Sequence, residues 1–473
     1  MEKAKAICRL VEEKAGRFTA VSDAVWDTPE LGFEVERSAA VIIKALEREG
    51  FQVEGGLAGI ATAFKGTWGE NGPVIAFLGE YDALPNLSQA AGVAERQELV
   101  PGGDGHGCGH NALGAGALAA AVALRDYIRA KGLPGRVVYF GCPGEEFGCG
   151  KAFMARAGCF ANLDCAFSWH PQSYTGVWNY GSLAHLSLLF DFKGVAAHAS
   201  SEPYNGRSAL DAAELMNVGA NFLREHIPPA ARLHYAFHDA GGMAPNVVQD
   251  RARLNYYVRA PKIAQTREIL ERVKKVAAGA AMMTETDWSF SITDGLSDFI
   301  PNSVATTVLA EAMNELGPIA YAAADYALAE KFRAAVSEAA YNTVLEQMHS
   351  IGGSLAEEYR GKNLMDGILP CSGGAHIFPA STDVGDVSYC VPTAQLMAAV
   401  GCLGTALHTW QMTAQGRTSL AHKGLLFAGK SMALAGLKLL ERPELLKEAK
   451  REWLSATGGK YVCPFPDEVM PEL

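Results

Sequence analysis

A glycine-rich loop contains the residue types best suited to chemistry. Residues 105–111 read GHGCGHN and stand directly before a predicted helix. The glycines allow a tight turn, so Cys108 and His110 can converge although only one residue separates them. A thiolate and an imidazole together suit zinc and similar transition metals. A glycine-rich turn at a helix N-terminus, with an anion site or no ligand, explains the same residues equally well.

Two adjacent carboxylates form a second candidate site. Glu145 and Glu146 follow the apolar run at residues 136–140, at a strand end where open α/β sheets place their binding sites. One carboxylate could bind a metal ion while its neighbour transfers a proton. A solvated acidic turn is the structural alternative.

Three more residues with ligand chemistry follow apolar segments. Asp82 comes after the run at residues 74–78, His170 ends another run, and His408 precedes the last helices. Each alone has a structural explanation, such as a turn aspartate before a proline. Their joint occurrence at strand ends or loops of one domain indicates a common site.

The elements that would position these residues alternate between strand and helix. Strands are predicted at residues 60–64, 74–78 and 136–140, with a helix at 112–130 between the last two. Two helical segments fill the first 45 or so residues. This alternation predicts an α/β domain with a mainly parallel sheet and helices on both faces.

A second pattern interrupts this domain. Three predicted strands and two predicted helices make a compact α+β unit; the strands are 183–192, 251–260 and 288–292, and the helices 209–225 and 263–278. We therefore expect an inserted domain at residues 183–298, between the two parts of the first domain at 1–182 and 299–473.

Composition narrows the class of partner. The net charge of −11 over 473 residues, without a basic stripe, argues against nucleic acid and anionic membranes. The N-terminal segment lacks the apolar core of a signal peptide, and the apolar runs are too short to span a bilayer. Ten single cysteines without a CxxC pair fit a reducing compartment. These features predict a cytoplasmic protein with a small-molecule substrate.

The ordered set of candidate residues resembles that of the dinuclear-metal amidohydrolase and peptidase family, which includes aminoacylases, bacterial glutamate carboxypeptidases and auxin-conjugate hydrolases. The resemblance covers nearly the whole chain and is strongest to the aminobenzoyl-glutamate and indole-acetyl-aspartate hydrolase branch. The residues that carry it are Asp82, Cys108, His110, Glu145, Glu146, His170 and His408.

The resemblance implies a metal-exopeptidase-like catalytic domain that hydrolyses the amide bond of an N-acyl amino acid, of the aromatic acyl-glutamate or acyl-aspartate type. The attacking water would bridge two divalent metal ions, zinc or manganese. Glu145 is the implied general base, and Asp82 would orient a metal-ligating histidine. The implied metal ligands are Cys108 as the candidate bridge, His110, Glu146, His170 and His408.

Within the inserted domain the resemblance implies a lid and a homodimer contact. His198, in the stretch KGVAAHASSEP at residues 193–203, is similar to the lid histidine that reaches the site of a partner subunit. It would act there as an oxyanion donor. Asn246 and Arg259 match substrate-binding positions, and Arg259 suggests a substrate with a free carboxylate.

Several alternatives stay open at this point. His422 could replace His408 as the last ligand, although the His-Thr step at 408 resembles that of relatives. Asn111 stands where auxin-conjugate hydrolases carry aspartate. A cysteine hydrolase using Cys108 and His110 is disfavoured by their short spacing. A dipeptidase or carboxypeptidase with the same chemistry, a non-catalytic metal-binding protein, and a need for a second, different subunit are further alternatives.

Overall fold

The computed structural model describes residues 2–371 and 377–471. Its helices in this part of the chain are α1 Glu2–Glu12, α2 Ala15–Trp26, α3 Glu36–Arg48, α4 His110–Lys131, α5 Gly150–Arg156, α6 Ala209–Leu223, α7 Ile263–Thr284, α8 Ser303–Leu316, α9 Ala323–Ala334, α10 Glu338–Gly352, α11 Val384–Cys390, α12 Trp410–Gln415, α13 Ser419–Glu441 and α14 Pro443–Thr457. Its strands are β1 Gln52–Gly55, β2 Phe64–Trp68, β3 Val74–Gly79, β4 Arg136–Gly141, β5 Cys165–Gln172, β6 Gly176–Trp178, β7 Gly181–Ser182, β8 Ala184–Lys193, β9 Arg232–Asp239, β10 Arg251–Ala260, β11 Asp287–Leu296, β12 Ile377–Phe378 and β13 Thr393–Ala399.

The larger sheet has seven strands in the order β1-β2-β4-β3-β5-β13-β6. Its four central strands are parallel, and antiparallel strands flank them on both sides. Alternate residues of β3 enter two different cores: Ile75 and Phe77 pack with α4 and α13, whereas Val74, Ala76 and Leu78 pack with α5 and α10. The predicted α/β fold with helices on both faces is confirmed.

Helix α4 fixes the position of the site because it packs closely against β5. Small residues fill most of its buried length. A Cβ at Gly116 would lie 2.7 Å from the Trp169 indole nitrogen, so only glycine permits this approach. The same indole N–H donates to the Leu113 carbonyl over 2.9 Å. His110 at the start of α4 and His170 beside Trp169 are therefore held in fixed relation.

The smaller sheet has four antiparallel strands in the order β11-β8-β10-β9. Helices α6 and α7 cover one face through a core that includes Leu186, Phe190 and Tyr256. The opposite face presents His185 and Arg259, which are direct neighbours on β8 and β10. That face borders a cavity shared with the larger sheet.

Three sequence-based expectations about elements are wrong. Residues 60–63 form a turn rather than a strand, and the strand begins at Phe64. The N-terminal segment contains three helices, because the chain turns at Glu13 and Lys14 between α1 and α2. The smaller sheet contains a fourth strand, β9, which the sequence analysis missed although Leu233, Tyr235 and Phe237 stand at every second position.

The elements of the smaller sheet lie between residues 184 and 296, but the division into domains at 183 and 298 stays a prediction. Among the helices in the described part of the chain, none combines the length and apolar character that a membrane span requires.

Candidate metal centre

The parallel strands deliver the candidate residues to one edge of the larger sheet. A parallel arrangement brings the carboxyl ends of the strands together, where α/β proteins form their sites. Four candidate residues follow strand ends: Asp82 after β3, Glu145 and Glu146 after β4, and His408 after β13. His170 lies near the end of β5, and Cys108 and His110 lie just before and at the start of α4.

Cys108 belongs to two groups of possible metal donors. One group joins it with His110 and His170, the other with Glu146 and His408, and the donor atoms within each group lie within 4.8 Å of one another. Cys108 Sγ is 3.5 Å from His170 Nε2, and Glu146 Oε2 is 3.4 Å from His408 Nε2. Two donors bound to one tetrahedral zinc ion lie about 3.3–3.6 Å apart. These distances fit two metal ions that share one thiolate.

Hydrogen bonds orient the buried His110 and the half-buried His170 toward the donor groups. His110 Nδ1 lies 3.0 Å from Asp82 Oδ1, and His170 Nδ1 lies 2.8 Å from the Pro171 carbonyl oxygen. Since Nδ1 donates in each case, Nε2 presents its lone pair to the site. Asp82 also accepts from the Glu146 backbone N–H over 2.9 Å. One carboxylate thus orders a histidine and the acidic loop.

His408 has an unusual backbone conformation. Its φ is +59°, in the left-handed region that non-glycine residues rarely occupy. Its N–H donates to the Gly107 carbonyl over 2.8 Å, which ties it to the glycine-rich loop. His422 lies elsewhere, on α13, where its Nε2 is 2.8 Å from Asp23 Oδ1. The structure therefore brings His408, and not His422, to the donor groups.

Three buried atoms at the site have no hydrogen-bond partner within the described chain: Glu80 Oε2, His110 Nε2 and Glu146 Oε1. Buried acceptors without partners are destabilising. Since all three belong to residues of one site and all can bind metals, the donor set fits divalent cations.

The electrostatics of the site respond to this crowding of acids. Burial, followed by the charges of Glu80 and Glu146, raises the pKa of Glu145 well above its ordinary value. Burial also tends to raise the pKa of Glu146, but hydrogen bonding to His408 and the charge of His110 together lower it to about 2. Burial raises the pKa of the Cys108 thiol. Metal binding would therefore release the thiol proton.

The residues expected from the inserted domain separate into two places. Arg259 lines the same cavity of about 900 Å³ as Cys108 and Glu145. His198 and Asn246 are exposed and do not line this cavity. They lie beside each other instead, since the Asn246 carbonyl accepts from the Ala199 N–H over 3.0 Å.

Three charged residues near the site were given no role on the basis of the sequence. Glu80 shares the strand end with Asp82, and Lys151 follows the acidic loop, so both carried a local signal. Asp383 carried none, because it contacts Lys151 from 232 residues away in the sequence.

Comparison with known proteins agrees with this geometry. The model of peptidase family M20/M25/M40 matches residues 76–399. The chain is 42% identical to one of the subunits of the p-aminobenzoyl-glutamate hydrolase of Escherichia coli, over 98% of this chain and 97% of that protein. It is 27% identical to the Xaa-Arg dipeptidase of Mus musculus, over 94% and 90% of the two chains.

The fold is also similar to solved structures. A dinuclear metal binding peptidase of the M20 family from Bacillus subtilis superposes with a TM-score of 0.58 at 17% identity, covering 91% of this chain and 99% of that one. These findings confirm the resemblance recognised in the sequence. The protein is a hydrolase, and the chain belongs to peptidase family M20/M25/M40.

Proposed function

We propose that the protein hydrolyses the amide bond of an N-acyl amino acid, with an aromatic acyl group on glutamate or aspartate. The observation that carries this proposal is the thiol of Cys108, which is shared by two donor groups and lines the same cavity as the carboxylate of Glu145. The similarity to the Escherichia coli p-aminobenzoyl-glutamate hydrolase supports the substrate class and makes p-aminobenzoyl-glutamate the first compound to test.

Five side chains would hold two divalent metal ions, with Cys108 between them; the other four are His110, Glu146, His170 and His408. Thiolate and imidazole donors favour zinc, whereas the carboxylate also admits manganese. When bound, the ions would supply Lewis acidity toward the amide carbonyl and make a water molecule nucleophilic at neutral pH.

Glu145 transfers the proton in this proposal. Its side chain is partly buried, lines the cavity and neighbours Glu146. It accepts the proton of the attacking water and then donates it to the nitrogen of the leaving amino acid. A carboxyl group can serve in both directions when its environment does not strongly favour the charged form. In the metal-free site, burial and then the charges of Glu80 and Glu146 raise the pKa of Glu145.

The cavity offers different surfaces to the two ends of the substrate. Arg259 is directed into it, with Nη1 3.4 Å from Ser381 Oγ and with Nε free of any hydrogen bond within the described chain. A guanidinium with unused N–H groups binds the free carboxylate of the substrate. Phe147, Trp178 and Phe378 line the same cavity and would pack against an aromatic acyl group.

We further infer a homodimer in which His198 completes the site of the partner subunit as an oxyanion donor. Its exposed position outside the cavity of its own chain supports this role. Strand β9 is an edge strand with exposed Tyr235 and Phe237, and α6 exposes Phe222. Such apolar surface at a sheet edge is a liability unless it is covered.

Two finer points belong to the same proposal. The Escherichia coli relative is named as one subunit of its enzyme, and another subunit of that enzyme is 29% identical to this chain over 49% of its length. A second, different subunit is therefore an outcome to examine beside the homodimer.

The Cys108 thiolate must stay reduced to bind metal, so we infer a reducing compartment, the cytoplasm.

The decisive experiment combines elemental analysis of the purified protein with a hydrolysis screen. The screen would include p-aminobenzoyl-glutamate, indole-acetyl-aspartate and an Xaa-Arg dipeptide, with and without a chelator. We expect about two zinc or manganese ions per chain and cleavage of the aromatic acyl-glutamate. Chelation should abolish cleavage, and adding metal back should restore it. Full turnover by protein shown to be metal-free would overturn the proposal. Cleavage of the dipeptide alone would show that the substrates are dipeptides and not aromatic acyl-amino acids.

A further inference from the structure

Glu80 is a buried carboxylate with one unused oxygen. It follows β3 directly, and only 2% of it is exposed. Its Oε1 lies 2.7 Å from the ammonium of Lys151. Its Oε2 has no hydrogen-bond partner within the described chain, although it lies only 3.3 Å from His110 Nε2. A buried carboxylate oxygen without a partner is costly, so a cation beside it would stabilise the site.

The approach of Glu80 to His110 has the geometry of two ligands. His110 donates from Nδ1 to Asp82, so its Nε2 presents a lone pair toward the site. Two lone pairs 3.3 Å apart repel each other unless a proton or a metal ion lies between or beside them. This separation matches that of two donors on one tetrahedral metal ion, about 3.3 Å. Glu145 completes a third donor group with these two residues, again within 4.8 Å.

Charge balance indicates the same role. The fully buried Lys151 contacts two carboxylates, Glu80 and Asp383, and its Nζ lies 2.6 Å from Asp383 Oδ1. Its backbone N–H also donates to Asp383 Oδ2 over 2.9 Å. Asp383 alone would neutralise the ammonium and accept both of these hydrogen bonds. The carboxylate of Glu80 is therefore surplus to this ion pair; its other oxygen faces His110 Nε2, where a proton on the imidazole or a metal ion would balance its charge.

Resting on the proposed function, we propose that Glu80 is a further carboxylate ligand of the metal ion bound by His110, and that Lys151 and Asp383 are positioning residues that direct it there. The group of Cys108, His110 and His170 contains no carboxylate, whereas the other group contains Glu146. With Glu80 as a ligand, each of the two ions has a carboxylate of its own beside the shared thiolate.

Zinc affinity and stoichiometry test this proposal without relying on activity. Metal-free wild type, Glu80→Gln and Asp383→Asn would be titrated with zinc against a chromophoric chelator, and bound zinc would be counted by elemental analysis. Both variants remove one of the two carboxylates that contact Lys151, but only Glu80 approaches His110. We expect Glu80→Gln to weaken the binding of one of the two zinc ions by roughly 10–100-fold or more. The loss of zinc affinity in Asp383→Asn should be at least about tenfold smaller than the loss in Glu80→Gln. Equal effects, or no effect of Glu80→Gln, would reduce Glu80 to a counter-charge of Lys151.

Two further measurements cover failure of a variant to fold. The double variant Glu80→Gln/Lys151→Met removes the ammonium together with the carboxylate and keeps the net charge of the cluster. In crystals of zinc-loaded wild type, anomalous scattering would locate the ions directly. Glu80 Oε2 within about 2.2 Å of zinc supports the proposal, and a distance beyond about 3 Å from every bound zinc overturns it. If wild type bound no metal, the proposed function itself would fail; if it bound two ions and turned over substrate while Glu80 had no effect on binding, only this inference would fail.

Discussion

Because the backbone of His408 is left-handed, substitutions at this position can measure its conformational cost separately from its proposed role in metal binding. At φ +59° a side chain costs about 1–2 kcal/mol that glycine does not incur. Glycine loses about 0.5–1 kcal/mol through the greater freedom of the unfolded chain. In the metal-free protein, His408→Gly should therefore be more stable than His408→Ala by about 0.5–1 kcal/mol. Both variants lack the imidazole and should lose the metal ion held with Glu146.

Chemical denaturation in the presence and absence of zinc measures both effects. For a chain of 473 residues, an entropy of unfolding of about 2 cal/mol/K per residue means that 1 kcal/mol moves the melting temperature by only about 1 °C. Urea midpoints followed by tryptophan fluorescence are therefore the better comparison. Zinc at 100 times the wild-type dissociation constant should stabilise the wild type by about 2.7 kcal/mol per site. The two His408 variants should lose the contribution of one site.

Two matched controls make this result specific. His422→Ala removes a histidine that pairs with Asp23, so it should cost about 0.5–1.5 kcal/mol and leave zinc binding unchanged. Glu285→Gly relieves a similar conformation at φ +52° outside the site and should leave zinc binding unchanged. Loss of zinc in His422→Ala, with full binding by both His408 variants, would transfer the ligand role to His422. Equal stability of the glycine and alanine variants at 408 would refute the argument from strain.

The remaining predictions concern the other functional side chains. Glu145→Gln should keep both ions and lower kcat by roughly 10²–10⁴-fold, whereas Glu146→Ala should lose metal on elemental analysis; retention of metal and rate by both would reject the assignment of the acid pair. Arg259→Met should raise KM far more than it lowers kcat, and an unchanged KM would remove the carboxylate-binding role. His198→Ala should lower kcat by roughly 10²–10³-fold without loss of metal, and mixing it with Glu145→Gln should restore activity in heterodimers if the donor acts in trans. No recovery in verified heterodimers would reject the shared site.

Much of the fold could be predicted because buried parallel strands have a simple signature. Residues 74–78 and 136–140 are continuous apolar runs, as strands covered on both faces require, and they lie in β3 and β4. Residues 60–64 misled because Ile60 and Ala63 are buried in a turn. Apolar residues that are buried in a turn were therefore interpreted as part of a strand. The edge strand β9 was missed although Leu233, Tyr235 and Phe237 stand at every second position, a signal that the sequence analysis overlooked.

The candidate site was predictable where a residue follows a strand directly along the chain. Glu146 and His170 were chosen as candidates, and the structure places both at the strand-end edge because an apolar strand runs up to each one. The choice between His408 and His422 had no such support. The loop between β13 and His408 obscured the relation, and the left-handed backbone that brings His408 to the donor groups leaves no trace in the sequence.

Residues whose role depends on a distant partner could not be identified from sequence at all. Lys151 follows the acidic loop, but its full burial beside Asp383 could not be predicted from the residues around it, because Asp383 comes from a segment beyond the smaller sheet. The same dependence on a distant partner extends past the single chain.

His198 and Asn246 illustrate that dependence between chains. They belong to loops joined by a bridge between His198 and Val247, so they form one surface, and neither lines the cavity of its own chain. The described residues that line the cavity include Arg259 and four of the proposed metal ligands, Cys108, Glu146, His170 and His408, but none from these two loops. His198 therefore reaches the proposed metal ligands either through a movement of the smaller sheet or from a second chain. The mixed-dimer experiment distinguishes the two, because only a second chain lets two inactive variants complement each other.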